Sequence, residues 1–133
     1  MKKNPVVHFE MPAKDKSRVS KFYTDAFGWD MKQLGPEMGD YIMASTCEVG
    51  ENGMPSMPGT INGGFFDFKD DELNRAPHVV ISVEKIEESL EAIKSAGGKI
   101  KTDIMDIPGV GKYVTFTDSE GNIVGVLQPT QGM

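Results

Sequence analysis

The sequence has 133 residues, which is enough for about one domain with a hydrophobic core. Hydrophobic residues make up 38% and charged residues 26%, which excludes a disordered or fibrous chain. A net charge of −6 disfavours nucleic acid and anionic membrane surfaces as partners. We therefore expect a single globular domain over 1–133.

Apolar runs and cysteine content indicate the cellular compartment. The longest apolar runs span only a few residues, as at 79–81, so we expect no membrane-spanning segment. Residues 1–15 contain no apolar core, so we expect no signal peptide. The single cysteine, Cys47, cannot form an internal disulfide and suits a reducing compartment. Together these features predict a cytoplasmic protein.

The first half of the chain predicts a β-α-β-β-β series. A run over 5–11 alternates around His8, which indicates a strand. Apolar residues over 19–27 follow the spacing of an amphipathic helix, with Asp15 placed to cap its start and Gly28 to end it. Three more strands are predicted over 29–34, 40–46 and 61–68, with a turn at 35–36 and a long loop over 47–60.

The second half predicts the same series again. A strand is expected over 78–83. Ile86, Leu90 and Ile93 then form a helical stripe, which Gly97 and Gly98 end. Three further strands are predicted over 99–107, 111–117 and 122–128.

The two series indicate an internal repeat, with modules over 5–68 and 77–128. Each of the two histidines, His8 and His78, lies in the first strand of its module and equally far from the glycine that ends the helix. A repeat makes the histidines pseudo-symmetric partners. Because side chains two residues apart on a strand share a face, Glu10 should lie on the same face as His8. We expect the modules to enclose a cleft that carries both imidazoles and this carboxylate.

Several segments between Val6 and Gln128 form a recognisable set. They are His8, FYTDAFGW at 22–29, INGG at 61–64, PHVV at 77–80, AGGK at 96–99 and DSEGN at 118–122. As a set they resemble the vicinal oxygen chelate superfamily, the group of glyoxalase I, extradiol dioxygenases and bleomycin-resistance proteins. IPGVG at 107–111 and GVLQ at 125–128 make the chain most similar to small proteins related to lactoylglutathione lyase.

The resemblance implies a fold and a range of functions. The fold is α+β, with paired βαβββ modules that form a cupped mixed sheet around a cleft, usually in a homodimer. Superfamily members isomerise, cleave rings, open epoxides or only sequester a compound, so the fold does not determine the activity. If the protein is an enzyme, the resemblance implies a lyase, an isomerase or a dioxygenase-like member.

The resemblance also implies where a metal would bind. Metal-dependent members take one ligand from the first strand of each module, and His8 and His78 match these positions. Their acidic ligands lie on the last strands, where this sequence has Gly64 and Gly125. Even with Glu10 as an oxygen donor the ligand set is incomplete. We expect no stoichiometric, tightly bound zinc, nickel or iron. Two alternatives stay open: the histidines form a weaker site for a divalent metal, or they only form hydrogen bonds.

The predicted small-molecule-binding residues are His8, Glu10, Asn62 and His78. Three functional hypotheses follow. The first is a lyase or isomerase in which His8, His78 and Glu10 hold a metal or act as acid and base on an oxygen-rich small molecule. The second is a metal-free protein of the bleomycin-resistance type, with Trp29 and phenylalanines as cleft walls. The third is a dimeric module without a ligand. Asn62 either donates a hydrogen bond into the cleft or satisfies the chain after the long loop.

Overall fold

The computed structural model describes residues 2–52 and 55–130, so Gly53 and Met54 of the predicted long loop lie outside the described residues. The chain divides into two compact units. We call His8–Pro77 the N-terminal unit, and Met1–Val7 together with His78–Met133 the C-terminal unit. The predicted single domain and its module boundaries stay predictions.

Among its described residues, the N-terminal unit contains one α-helix and four strands. Its elements are β1 (Val6–Ala13, which begins just before the unit), α1 (Lys16–Phe27), β2 (Asp30–Gln33), a 3₁₀ helix (Pro36–Met38), β3 (Ile42–Ser45) and β4 (Asn62–Asp67). The strand order is β2-β3-β4-β1, in which β1 and β4 are parallel and the other pairs are antiparallel. The 3₁₀ helix replaces the simple turn predicted at 35–36.

Helix α1 begins and ends at the residues that the sequence predicts. Asp15 caps it, because its carboxylate Oδ1 accepts the Arg18 backbone N–H at 2.9 Å. This backbone hydrogen bond is also the main cause that lowers the pKa of Asp15. Gly28 ends the helix in the left-handed conformation with a φ of 71°, which glycine adopts without steric cost.

The core of the N-terminal unit lies between α1 and one face of the sheet. Its buried residues are Ala13, Ile42, Ala44 and Phe65. Partly buried aromatic and aliphatic side chains, among them Phe9, Val19, Tyr23 and Trp29, pack against them. Burial of these apolar side chains stabilises the unit through the hydrophobic effect.

In the part of the C-terminal unit that the structure describes there are the second α-helix and five strands. They are β5 (His78–Ser82), α2 (Ile86–Ser95), β6 (Lys99–Ile100), β7 (Met105–Ile107), β8 (Gly111–Thr117) and β9 (Ile123–Pro129). The strand order is β5-β9-β8-β6, and β7 also pairs with β8. Strands β5 and β9 are parallel, and the other pairs are antiparallel.

The single strand predicted over 99–107 is wrong, because residues 101–104 separate β6 from β7. In this gap the Thr102 hydroxyl accepts the Thr115 backbone N–H at 2.9 Å. A threonine side chain here takes the hydrogen bond that a backbone carbonyl would accept in a continuous ladder.

The start of α2 depends on a residue distant in sequence. Lys85 precedes the helix and provides no side-chain cap. Instead, the Gln128 side chain on β9 accepts the Ile86 backbone N–H at 2.9 Å through Oε1. This contact satisfies one of the N–H groups that every helix leaves open at its start. It fixes α2 over a core formed by Val83, Ile86, Val114, Phe116 and Val126.

The α+β class and the repeated β-α-β-β-β order are therefore confirmed, with β6 and β7 together in the place of one strand. The cleft between the modules stays a prediction. Within the described ranges, neither α1 nor α2 has the length and apolarity needed to span a bilayer.

Candidate functional site

A tyrosine connects the two polar residues of β1. The His8 Nε2 atom lies 3.0 Å from the Tyr41 hydroxyl oxygen, and that hydroxyl donates to Glu10 Oε2 at 2.9 Å. We call these three part-buried residues the N-terminal triad. Since Tyr41 contacts both other members, His8 and Glu10 share a face of β1, as strand alternation predicts.

The position of Tyr41 depends on a glycine in the adjacent strand. Glu10 is paired with Gly64 in the parallel β1–β4 ladder. A Cβ atom built on Gly64 would lie 2.1 Å from both Cζ and the hydroxyl oxygen of Tyr41. The tyrosine ring thus occupies the space that a side chain at position 64 would need, and glycine is what lets it approach the backbone so closely.

The C-terminal unit contains a similar arrangement. The Tyr113 hydroxyl oxygen lies 3.4 Å from His78 Nε2, beyond the usual hydrogen-bond range. A Cβ built on Gly125 would lie 2.3 Å from the same hydroxyl oxygen. We call His78 and Tyr113 the C-terminal pair. Val80 pairs with Gly125 as Glu10 pairs with Gly64, so a buried valine replaces the carboxylate.

The strand registers show that the two tyrosines are equivalent. Tyr41 precedes Ile42, which pairs with Phe65, the residue after Gly64. Tyr113 precedes Val114, which pairs with Val126, the residue after Gly125. Neither tyrosine is among the site residues predicted from the sequence. They can be identified by their equivalent positions in the repeat, and those positions are known only once the strand pairing is known.

Asn62 contacts the backbone next to the long loop. Its Oδ1 atom accepts the Thr46 backbone N–H at 2.8 Å and lies 3.7 Å from the Cys47 sulfur. These contacts match the local alternative, in which Asn62 satisfies the chain beside the loop. Its role in ligand binding stays a prediction.

Trp29 packs on the helix side of the sheet. Its ring stacks on Tyr23 at a centroid distance of 4.6 Å and lies 5.6 Å from Phe9. Because Phe9 and His8 are adjacent in β1, their side chains point to opposite faces. The hypothesis that Trp29 lines the wall of a cleft around His8 is therefore wrong; the indole completes the contact between α1 and the core.

The residues of each unit do not fit a metal site of the type that the resemblance implies. At both predicted acidic positions a tyrosine ring occupies the space of the missing side chain. Both histidines direct Nε2 toward the hydroxyl of that tyrosine. Across residues 2–52 and 55–130, no three side chains of histidine, cysteine, aspartate or glutamate come together in a way that could hold a metal ion.

Comparisons with known proteins support this fold and family. Residues 6–126 match the model of the Glyoxalase/Bleomycin resistance protein/Dioxygenase superfamily. A glyoxylase-like domain-containing protein of Didymella fabae is 32% identical over 116 residues, which cover 85% of this chain and 84% of that protein. A probable chloroplastic lactoylglutathione lyase of Arabidopsis thaliana is 28% identical over 113 residues; the match covers 84% of this chain but 31% of that longer protein.

A solved structure extends the comparison to the whole fold. The hypothetical protein BH1468 from Bacillus halodurans C-125 superposes with a TM-score of 0.70 and covers 99% of each chain. Its sequence identity to this chain is 14%, so the likeness is one of fold alone.

Proposed function

Because the chain belongs to the glyoxalase/bleomycin resistance protein/dioxygenase superfamily, we propose that it binds a small molecule through the N-terminal triad, without a resident metal. The observation that carries this proposal is the Tyr41 hydroxyl, which contacts both His8 and Glu10 on one strand face. Part-buried imidazole, phenol and carboxylate groups provide the few directional contacts that orient a small ligand in a site. His78 lies in the other unit and stays a predicted binding residue.

The hydrogen bonds of the triad determine what each group offers a ligand. Tyr41 donates its single hydroxyl proton to Glu10, so His8 Nε2 donates to the Tyr41 oxygen. In its neutral form, His8 then has its lone pair on Nδ1. The triad holds the imidazole in one orientation and one tautomer, which lowers the entropic cost of binding a ligand there.

A second candidate is a lyase or isomerase. The observation that favours it is the similarity to a protein named as a probable lactoylglutathione lyase. On this hypothesis, Glu10 or His8 moves a proton on the bound compound, and the Tyr41 hydroxyl orients both groups. We regard metal-free binding as the better-supported function, because the tyrosines lie where the acidic metal ligands are predicted.

Thermal unfolding in the presence of a defined compound panel tests the proposal. The panel contains bleomycin, S-lactoylglutathione, the methylglyoxal–glutathione hemithioacetal and simple α-hydroxy ketones. At least one compound should raise the melting temperature of the wild type, and His8→Ala and Tyr41→Phe should abolish that shift. Tyr23→Phe is the matched control, because Tyr23 stacks on Trp29 in the core. A panel without any shift, or shifts that His8→Ala leaves unchanged, would contradict the proposal.

An activity assay on the same samples separates the two candidates. Isomerisation of the hemithioacetal is followed with and without added Ni²⁺ or Zn²⁺. We expect no turnover in either condition. Turnover that depends on His8 would support the lyase instead.

The assembly and location are also proposals. The sheet of the N-terminal unit ends at β2, a four-residue edge strand whose outer backbone groups can pair with another chain. We propose a cytoplasmic homodimer, in line with the single cysteine. Light scattering at several protein concentrations measures the mass, and a monomer at all of them would contradict the dimer.

A further inference from the structure

We propose that Tyr41 and Tyr113 replace the acidic metal ligands of the superfamily and close both ligand positions to divalent metal. This inference concerns metal affinity and holds whether or not the proposed small-molecule function is correct. It rests on the space above a glycine in each unit and, in the N-terminal unit, on the hydrogen bond made by His8 Nε2.

The first feature is steric. A Cβ atom at Gly64 or Gly125 would lie 2.1 or 2.3 Å from the hydroxyl oxygen of the facing tyrosine. Real Cβ atoms essentially never approach other heavy atoms below 3.0 Å. A carboxylate side chain from either position would therefore begin inside the space of the phenol, and the tyrosine would have to rotate away first.

The second feature is the hydrogen bonding of His8. Because Tyr41 gives its only hydroxyl proton to Glu10, the His8 Nε2 atom carries a proton and donates to the Tyr41 oxygen. A metal binds the lone pair of an imidazole nitrogen, and a protonated Nε2 has none. Metal binding through Nε2 requires that this hydrogen bond break and that the proton move to Nδ1 or to solvent.

The N-terminal unit would become a metal site after two changes. Gly64 pairs with Glu10 across the parallel ladder, and His8 lies on the same face two residues earlier. Removal of the Tyr41 ring and addition of a carboxylate at position 64 would therefore place three ligands together, His8, Glu10 and the new carboxylate. Three protein ligands and a water molecule are the usual set of an open zinc site. In the C-terminal unit Val80 occupies the position of Glu10, so the same changes supply one ligand fewer.

Calorimetric titration with Zn²⁺ and Ni²⁺ of chelator-treated protein tests this inference. We expect the wild type to bind either ion only weakly. Tyr41→Ala combined with Gly64→Glu should tighten binding at least about tenfold. The matched control, Tyr113→Ala combined with Gly125→Glu, should show a smaller gain in metal affinity. Stoichiometric, tight binding of Zn²⁺ by the wild type would overturn the inference, as would a folded Tyr41→Ala/Gly64→Glu protein with unchanged affinity.

Two further measurements do not require the double variant to fold. Tyr41→Phe keeps the ring above Gly64 but removes the hydroxyl that accepts from His8, so its metal affinity should rise above the wild-type level and stay below that of the double variant. Nitrogen-15 spectra of the wild type at a pH where the imidazole is neutral should show His8 as the Nε2–H tautomer, and Tyr41→Phe should remove this preference. An Nδ1–H tautomer in the wild type would contradict the proposed arrangement.

Discussion

The two units place histidine, tyrosine and glycine at equivalent positions, but the tyrosines are held differently. In the N-terminal unit Tyr41 makes two hydrogen bonds, at 3.0 Å to His8 and 2.9 Å to Glu10. In the C-terminal unit the contact between Tyr113 and His78 is 3.4 Å long, and Val80 replaces the carboxylate. The residue two positions after the histidine on the first strand is thus a carboxylate, Glu10, in one unit and an aliphatic residue, Val80, in the other.

This difference separates two contributions to the position of each tyrosine, the packing of its ring and its hydrogen bonds. A single unit would not distinguish them. The packing of a tyrosine ring on a glycine occurs in both units, so it does not depend on a carboxylate. In the N-terminal triad, short hydrogen bonds of 3.0 Å and 2.9 Å join Tyr41 to His8 and Glu10. We infer that packing positions both tyrosines and that Glu10 adds orientation, which a polar binding site requires.

The largest expected effect of a substitution lies in the two cores. Phe65 and Val126 occupy equivalent positions, each directly after the glycine under its tyrosine, and both are buried. Phe65→Ala should lower the free energy of unfolding by about 3–5 kcal/mol, since it leaves a large cavity. Val126→Ala removes two methyl groups and should cost about 2 kcal/mol. Urea denaturation measures both; equal losses would show that the cores are not organised around these positions.

The glycines under the tyrosines test the packing itself. Gly64→Ala should displace the Tyr41 ring and break both hydrogen bonds of the triad, which costs about 2–3 kcal/mol of stability. Gly125→Ala should cost less, because the contact between Tyr113 and His78 that it disturbs is longer, at 3.4 Å. Denaturation midpoints measure the difference. A neutral Gly64→Ala would mean that the tyrosine moves aside easily and that the ligand position is open.

The hydroxyl groups have a smaller expected effect. Tyr41→Phe keeps the ring in place but removes the contacts to His8 and Glu10. This should lower the free energy of unfolding by about 1–2 kcal/mol. Tyr113→Phe should cost less than Tyr41→Phe, because the contact between Tyr113 and His78 is longer, at 3.4 Å. Thermal denaturation of the two variants beside Tyr23→Phe provides the comparison. Equal effects of Tyr41→Phe and Tyr113→Phe would remove the functional distinction between the units.

The sequence predicts most of the fold because its signals are local. The cap at Asp15, the glycine at 28 and the apolar spacing between them place α1 without tertiary information. The single strand predicted over 99–107 is wrong because Thr102 takes a backbone hydrogen bond of the neighbouring strand. That contact depends on which strands are adjacent, and residue types alone do not reveal it.

The candidate site is predictable only in part for the same reason. His8 and Glu10 follow from alternation within one strand. Tyr41 lies directly before β3 and reaches them because β3 and β1 flank β4, where Gly64 leaves room. The position of Trp29 is not predictable from its own segment either, because it depends on the packing of the indole against Tyr23 and Phe9.

The last prediction concerns the connection between the final two strands of each unit. The N-terminal unit joins β3 to β4 by the long loop, whereas the C-terminal unit joins β8 to β9 by a short turn around Asp118. The Asp118 carboxylate accepts the side-chain amide of Asn122 and the backbone N–H groups of Asn122 and Glu120. These hydrogen bonds, that from the Asn122 side chain first, lower the pKa of Asp118.

A lowered pKa in the folded state makes this stabilisation dependent on pH. The contribution of Asp118 should be fully present above the unfolded-state pKa of about 3.9 and should disappear as the pH falls through the lower folded-state pKa. Asp118→Ala should therefore lower the melting temperature at pH 7, and its difference from the wild type should shrink as the solution becomes strongly acidic. Asp118→Asn is the control, because it keeps an acceptor oxygen without the charge. It should lower the melting temperature at pH 7 by less than Asp118→Ala does. A melting-temperature difference between wild type and Asp118→Ala that is the same at pH 7 and at pH 2 would show that the turn acts through shape and not through the ionised carboxylate.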